Sequence, residues 1–424
     1  MPIICKDKVI FMNHVHLENR RISRQFLAII WIEYALIYMT KNCFSAAMAS
    51  IVYEGVLTKS QTGLINAVFY IFYGPLQIVG GVIADRHNPE NLIKIGLFSS
   101  SVINLALFFV HDYISMLVLW GLNGIAQFAI WPSIVKIITS QLTPEDGKSG
   151  AFYITFASIG GLLVSYLTAA LVTQWEYNFL ISGLVLLVLA LMWMAECHNV
   201  DHYMVLDDVP VAAPKEEQQV PSEKLHPRPF LASGFVFIVI YFFFRTMVDQ
   251  GVKAFSPTML MELYPGVTPS VGNLLNILII GVTLLGAVLI RKFYPKIIHS
   301  EVTGMFTTAA LALPFCGILL FARQIHIALS VACLCAVACV MNCGTVLVNC
   351  SNVHFAKYGK SATAAGIVNA VASVGFIVVN YGIALLADLL GWETVLICFF
   401  SCVIVATAVI AVVIPKWRKF IGDR

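Results

Sequence analysis

The sequence predicts an all-α membrane protein with twelve transmembrane helices in two pseudo-symmetric six-helix bundles. Three observations carry that prediction. Hydrophobic residues fill 59% of the 424 positions and charged residues only 12%, whereas a soluble domain is nearer half apolar and a quarter charged. The apolar positions, about 250 of them, supply roughly a dozen crossings at about 20 residues each. Basic residues, finally, gather on alternate connections. This composition excludes a soluble enzyme, a disordered chain and a nucleic-acid binder built on a basic surface, since a net charge of +3 recruits no polyanion.

Residues 1–25 are polar and carry Lys6, Lys8, Arg20, Arg21 and Arg24. The first apolar run, 27–52, is too long for a signal-peptide core and lacks a cleavage site, so it reads as a retained first span. Spans 2 to 6 follow at 61–84, 92–111, 114–139, 150–173 and 177–196, with Gly, Pro and Asn punctuating the short connections. Residues 197–229 hold Asp201, Asp207, Asp208, Glu216, Glu217 and several prolines but no apolar run. They read as a flexible polar linker whose His198, His202 and His226 are solvated. Spans 7 to 12 occupy 230–263, 269–292, 300–321, 324–352, 361–388 and 392–415. The runs must be helices, because backbone groups cannot stay unpaired in hydrocarbon. The expected domains are therefore an N-terminal bundle (1–196), a linker (197–229) and a C-terminal bundle (230–424).

Charge sets the orientation. Of the 26 Lys and Arg, 21 lie on the segments that share a side with the N-terminus. Only Lys59 and Arg323 fall on the other side, and Lys41, Arg245 and Lys253 lie within spans. The positive-inside rule places both termini in the cytoplasm of a multi-pass inner-membrane protein. Most of the 11 cysteines sit inside apolar runs, as Cys333, Cys335 and Cys339 do, and read as small core residues rather than metal ligands or disulfides. No cofactor and no metal is expected. Two six-helix halves joined by a cytoplasmic linker are the plan of alternating-access carriers. A channel filter or a catalytic constellation does not emerge, so the chain is not read as an enzyme.

Span 2 ends Tyr73-Gly74-Pro75-Leu76-Gln77-Ile78-Val79-Gly80-Gly81-Val82-Ile83-Ala84-Asp85-Arg86-His87-Asn88-Pro89. Gly80 and Gly81 would let another helix approach closely. Gly81, three residues, then Asp85 and Arg86 resemble the loop 2–3 signature of the major facilitator superfamily. The Asn88-Pro89 pair resembles its organophosphate:phosphate antiporter branch, typified by bacterial glycerol-3-phosphate carriers, although Glu90 stands where that signature has a basic residue. Span 4 (Leu122-Asn123-Gly124, Gln127, Trp131-Pro132), span 7 (Gly251-Val252-Lys253-Ala254-Phe255-Ser256-Pro257-Thr258) and span 11 (Thr363-Ala364-Ala365-Gly366, then Ala387-Asp388-Leu389-Leu390-Gly391-Trp392) resemble the same branch. The resemblance implies conformational gating by Gly81, Asp85 and Arg86, with Asp85 facing the N-terminus of helix 11 near Ser361 to Thr363. Helix N-termini attract carboxylates, which makes that physically sound.

The same resemblance implies three phosphate-binding cations, and this sequence departs from all three. The aligned positions hold Thr40 (before Lys41-Asn42), Gln77 and Asp249. Phosphate is best held by arginine forks. The expectation is therefore a non-phosphorylated solute such as a sugar, an amino-acid derivative or an organic acid.

Ionised residues inside a membrane are costly and are usually paired or functional. Helix 1 carries Glu33 and Lys41, and helix 7 carries Arg245, Asp249 and Lys253. The helix 7 residues share an arc of about 80° at 100° per residue. In one reading Asp249 neutralises Arg245 or Lys253 at i,i+4, and Glu33 neutralises Lys41 or a neighbouring helix. In the other, Asp249 exchanges partners with Lys41, and Glu33 or Asp249 binds a coupling proton, since burial favours a neutral carboxyl. Tyr38, Gln77, Gln127 and Trp131 are candidate solute contacts beside these charges. Lys136 reads as snorkelling to the headgroups.

The expected function is a secondary active transporter that moves a small polar solute by alternating access, coupled to protons or to exchange. Two alternatives stay open. One is an antiporter of organic anions or phosphate esters using Arg245 and Lys41; the other is a non-transporting ligand sensor. The expected partners are the solute, membrane lipids and protons, with no nucleic acid, in a monomer.

Overall fold

A computed structural model of the chain describes residues 15–17, 19–172, 174–206, 228–293, 300–322, 324–358 and 361–422. Lys6, Lys8, Asp207, Asp208, Glu216, Glu217, His226 and Arg323 lie outside the described residues. Span 1 is two helices, α1 (Arg20–Lys41) and α2 (Cys43–Tyr53). Spans 2 and 3 are α3 (Lys59–Arg86) and α4 (Pro89–Leu107). Span 4 is broken into α5 (Tyr113–Gln127) and α6 (Ile130–Ser140), and α7 (Pro144–Leu171) and α8 (Glu176–Asp201) complete the first six. A short α9 (Arg228–Ser233) precedes α10 (Phe235–Leu263), α11 (Pro269–Phe293), α12 (Glu301–Ala322) and α13 (Ile327–Asn352). Then α14 (Ser361–Val378) passes through a π-helical turn (Val379–Ile383) into α15 (Ala384–Ile421).

α15 breaks at Gly391, where φ is 78° and ψ is 173°, a conformation that only glycine adopts without strain. The break makes one helical stretch into two crossings. Asp388 before it and Trp392 after it both meet the Lys59–Glu262 pair. At the far end of α15, Trp417 packs on Phe355, just beyond α13. Nine helical stretches among the described residues are long and apolar enough to cross a membrane. The Gly391 break doubles one of them, and α4 and α7 add two more, which gives the twelve crossings expected.

α4 shows why composition alone understates some spans. Its Ile95, Phe98 and Val102 are exposed, as a lipid-facing stripe at helical spacing should be, while Ser100, Ser101 and Asn104 are buried on the other face. There Ser101 Oγ donates to Gly183 O (2.7 Å) and Asn104 Nδ2 donates to Ser100 O (2.8 Å). Asn88 caps α4 by accepting from Glu90 N (2.8 Å), with Pro89 in the first turn, so the connection from α3 is only His87 and Asn88.

One element was not legible in the sequence. The expected linker begins in order: α8 continues to Asp201, and β2 (Met204–Leu206) pairs antiparallel with β1 (Val15–Leu17), His16 opposite Val205. Leu17 is fully buried and its N–H donates to Gln141 O (2.8 Å). Two three-residue strands almost two hundred positions apart carry no periodicity that a sequence reading could detect.

The chain divides into two compact units: Met1–Ala47 with Val68–Ala212, and Met48–Ala67 with Ala213–Arg424. In unit 1, Phe26 stacks on Trp193 (5.8 Å) amid Ile30, Ile37, Leu186 and Leu189. In unit 2, Phe230, Phe235, Phe355 and Trp417 form the corresponding cluster. Met48–Ala67 joins unit 2 through a close crossing. A β-carbon at Gly63 would collide with Asn380 O, Asn66 Nδ2 donates to Asn380 Oδ1 (2.7 Å), and Lys59 pairs with Glu262 (2.8 Å) and Asp388 (3.6 Å). Small residues at such crossings let helices associate in lipid, where no hydrophobic force drives them together.

A polar staple occurs once in each unit. Glu90, opening α4, accepts from Gln141 Nε2 (3.3 Å) on Oε1 and from Trp193 Nε1 (3.0 Å) on its backbone oxygen. Glu301, opening α12, meets His354 Nε2 (2.6 Å) on Oε1 and accepts from Trp417 Nε1 (3.1 Å) on Oε2. Glu301→Ala leaves the buried indole N–H without its acceptor, at a cost of about 1–3 kcal/mol. Thermal unfolding of the purified variant should show a lowered midpoint; an unchanged midpoint would show that the staple holds nothing.

Candidate functional site

In unit 1 the site is built on the break in span 1. α1 stops because the N–H of Asn42 (φ −102°, ψ 3°) bonds back to Met39 O and Thr40 O, while Asn42 Nδ2 donates to Tyr38 O (2.7 Å). Lys41 is thus the last residue of α1, in the middle of the membrane. Its Nζ lies 3.7 Å from the ring centre of Tyr73, 5.2 Å from that of Tyr38, 5.7 Å from Tyr70 and 5.8 Å from Phe69. Lys41 is 8% exposed, and among the described residues no carboxylate lies within ion-pair distance of it. An aromatic cage stabilises a cation through ring quadrupoles, by about 0.5–2 kcal/mol per face, without neutralising it. No carboxylate among the described residues is there to cancel the charge of the protonated amine.

Aromatic stacking extends the cage. Tyr34 lies 5.4 Å from Tyr38 and 5.1 Å from Trp131, which brings Tyr38 and Trp131 to one wall. Gln77 is half-buried on α3, one turn beyond Tyr73. Gln127 is turned into the bundle, where its Nε2 donates to Ser100 Oγ (2.9 Å) beside Asn123. A β-carbon at Gly161 of α7 would fall on Ala35 O and Tyr38 Cβ, so Gly161 lets α7 press Tyr38 into place. Gly161→Leu should force α1 and α7 apart, with an overpacking cost of about 1–3 kcal/mol. A melting midpoint equal to that of the parent protein would refute the close packing.

In unit 2, α10 presents the charged stripe. Arg245 Nη2 lies 2.9 Å from Asp249 Oδ2, and Lys253 Nζ lies 2.8 Å from Asp249 Oδ1. Arg245 Nε donates to Met341 O (2.7 Å) of α13, and Asn276 Nδ2 of α11 donates to Lys253 O (2.8 Å). Arg245 and Asp249 are buried and Lys253 nearly so. Although the Arg245–Asp249 pair is close, Nη2 is not aligned for a hydrogen bond and is left unsatisfied. Two cations thus lie against one carboxylate. Glu33 stands apart from both clusters, 2% exposed, with Oε1 unpartnered.

At the end of α3, Asp85 and Arg86 are exposed and form no ion pair among the described residues. Of the two glycines there, Gly80 meets the Phe128–Ala129 backbone, whereas a β-carbon at Gly81 would meet open space. Lys136 does not snorkel. Its Nζ donates to Ala84 O (2.7 Å) and Asp85 O (3.2 Å), the free carbonyls at the C-terminal end of α3, where a cation complements the helix dipole. Among the described residues no group of three or more His, Cys, Asp or Glu side chains could hold a metal ion. Sequence reasoning missed Phe69, Tyr70 and Tyr73. Their clustering on span 2 was visible, but nothing in it showed which helix they face.

Twelve helical crossings in two units, each with buried ionised side chains, define a polytopic membrane protein with a polar interior. The chain belongs to the Major Facilitator Superfamily, whose model matches residues 30–360. It is 33% identical over 171 residues to the "Membrane sensor protein UhpC" of Escherichia coli (strain K12), covering 40% of this chain and 39% of that protein. It is 30% identical over 164 residues to the "Probable hexose phosphate transport protein" of Chlamydia trachomatis serovar D, covering 38% of this chain and 36% of that one. The chain thus spans about two fifths of the length of these curated relatives. These similarities agree with the organophosphate:phosphate antiporter branch. In fold it is similar to a bacterial homologue of the human lysosomal transporter Spinster, inward-facing and occupied (TM-score 0.74, 16% identity, covering 96% of this chain and 99% of that one). At that identity the likeness concerns the fold alone.

Proposed function

We propose that the chain is a secondary carrier that moves a small organic anion by alternating access between its two six-helix halves. One observation carries the reading: Lys41 is buried in a cage of aromatic rings, with no carboxylate within ion-pair distance among the described residues. Uncompensated charge at mid-membrane is costly, and an anionic solute offsets it. The anion's charge favours a carboxylate over a phosphate dianion. Lys41 is a point charge rather than a fork, and Arg245 already spends Nε on Met341 and lies against Asp249. Tyr38, Trp131 and Gln77 contribute hydroxyl, ring and amide contacts to the solute's polyol or amide part.

Asp85, Arg86 and Gly81 keep the gating role that their signature implies. The protein acts as a monomer in the inner membrane with both termini in the cytoplasm. The test is exchange in proteoliposomes with labelled gluconate, glucose 6-phosphate and inorganic phosphate, and gluconate is expected to exchange fastest. Preference for glucose 6-phosphate would replace the carboxylate by a phosphate ester. The match to a membrane sensor favours one second reading, a ligand sensor. Binding of gluconate without any exchange would support it and end the carrier reading.

A further inference from the structure

Glu33 lies near the middle of α1, on the face that carries Phe26, Ile30 and Ile37 at i−7, i−3 and i+4. Phe26 stacks on Trp193, so this face looks onto α8. The carboxyl is 2% exposed and Oε1 has no hydrogen-bond partner. Among the described residues no Lys, Arg or His pairs with it.

Among the described residues the packed neighbours offer no cation. On α8 the titratable groups of the facing side are Glu196, half-buried and three residues from Trp193, and Cys197, neither of them a cation. On α7, Gly150 against Leu27 and Gly161 against Ala35 set the register. The level of Glu33 is then residues 156–160, Phe-Ala-Ser-Ile-Gly, with no titratable side chain. β1 ends three residues before α1, and Glu33 is thirteen residues, about 20 Å, further along. Along α1 itself, Arg24 and Lys41 are nine and eight residues away, about 12–14 Å of rise. An ionised carboxylate in such a place costs several kcal/mol with nothing among the described residues to offset it. Asp249, by contrast, lies between two cations. The two carboxylates that the sequence offered as proton carriers are thereby told apart.

We propose that Glu33 is the coupling group and that a proton on its carboxyl crosses with an anion held by Lys41. This rests on the carrier reading above. Both residues ride on one unbroken helix of unit 1, so a movement that turns Lys41 to one side of the membrane carries Glu33 with it. The O–H bond forms with a proton taken from water on one side and breaks to water on the other. One monoanion and one proton cross together with no net charge.

The test uses the full-length protein in proteoliposomes with the membrane potential clamped, labelled gluconate as the probe, and an acid gradient of one pH unit. Electroneutral one-to-one coupling accumulates gluconate about tenfold. Glu33→Gln should show no accumulation beyond equilibrium, and Glu33→Asp should restore it. Exchange of gluconate by the parent protein without gradient-driven accumulation, or tenfold accumulation by Glu33→Gln, overturns the proposal. Infrared difference spectra give a readout free of transport and of folding yield. The carbonyl band of a protonated carboxyl at neutral pH should be present in the parent protein and in Asp249→Asn, and absent in Glu33→Gln. Persistence of that band in Glu33→Gln overturns the assignment. If the parent protein exchanges none of the three probes, the carrier reading and the coupling both fall, while the band still reports whether Glu33 holds the proton.

Discussion

Lys41→Met should weaken anion binding by about two orders of magnitude while leaving the protein at least as stable as before. The methionine keeps the length of the stem and its packing against Tyr38 and Tyr73, so the cage stays filled. What disappears is the charge. Removing one partner of a buried charge pair costs about 2–5 kcal/mol of binding, and about 1.4 kcal/mol is a factor of ten. Stability should move the other way, because a cation buried without a carboxylate is costly in the empty protein. The opposed signs are the signature. Isothermal titration with gluconate and a melting curve on the same sample read both. Unchanged affinity would remove Lys41 from the site. Lost affinity together with a collapsed melting point would show that Lys41 is merely part of the scaffold.

Asp249→Asn should be the most damaging substitution for folding. It leaves Arg245 and Lys253 buried about two turns apart on α10 with no carboxylate between them. Breaking a buried pair from one side costs about 3–5 kcal/mol. The double variant Arg245→Met with Asp249→Asn should recover most of that loss, because it removes the cation of the pair along with the carboxylate. The non-additivity of the pair measures their coupling, as expected of residues in direct contact. If the double variant melts as low as the single one, Asp249 is not the neutralising partner of Arg245.

The helical plan was legible because a bilayer leaves few choices. Spans appear as apolar runs, and twelve of them could be placed before any coordinates. The stripe Arg245, Asp249, Lys253 was legible for a second reason: its geometry is local, fixed by the i,i+4 repeat of a single helix. The break at Gly391 also stood in the sequence as a short Asp-Leu-Leu-Gly-Trp connection. The strand pair β1–β2, the two glutamate staples and the assignment of Met48–Ala67 to unit 2 had no such signal. Each joins positions distant in the chain through one or two bonds, which leave no period. The role of Lys136 was misread because a lysine near a helix end usually reaches for headgroups, and only the packing of α6 against α3 offers it carbonyls instead.

The sequence by itself determined the crossings, the gathering of basic residues on alternate connections and the presence of ionisable groups within the spans. Hydrocarbon requires helices of a set length and penalises every charge left inside it, and both constraints act residue by residue along the chain. Tertiary structure decided what each charge does. Lys41 meets rings rather than a carboxylate, Asp249 loses its freedom because two cations flank it, and Glu33 is isolated because the described residues of α8 and α7 offer it no cation. Those outcomes depend on which helix faces meet, a property that packing creates.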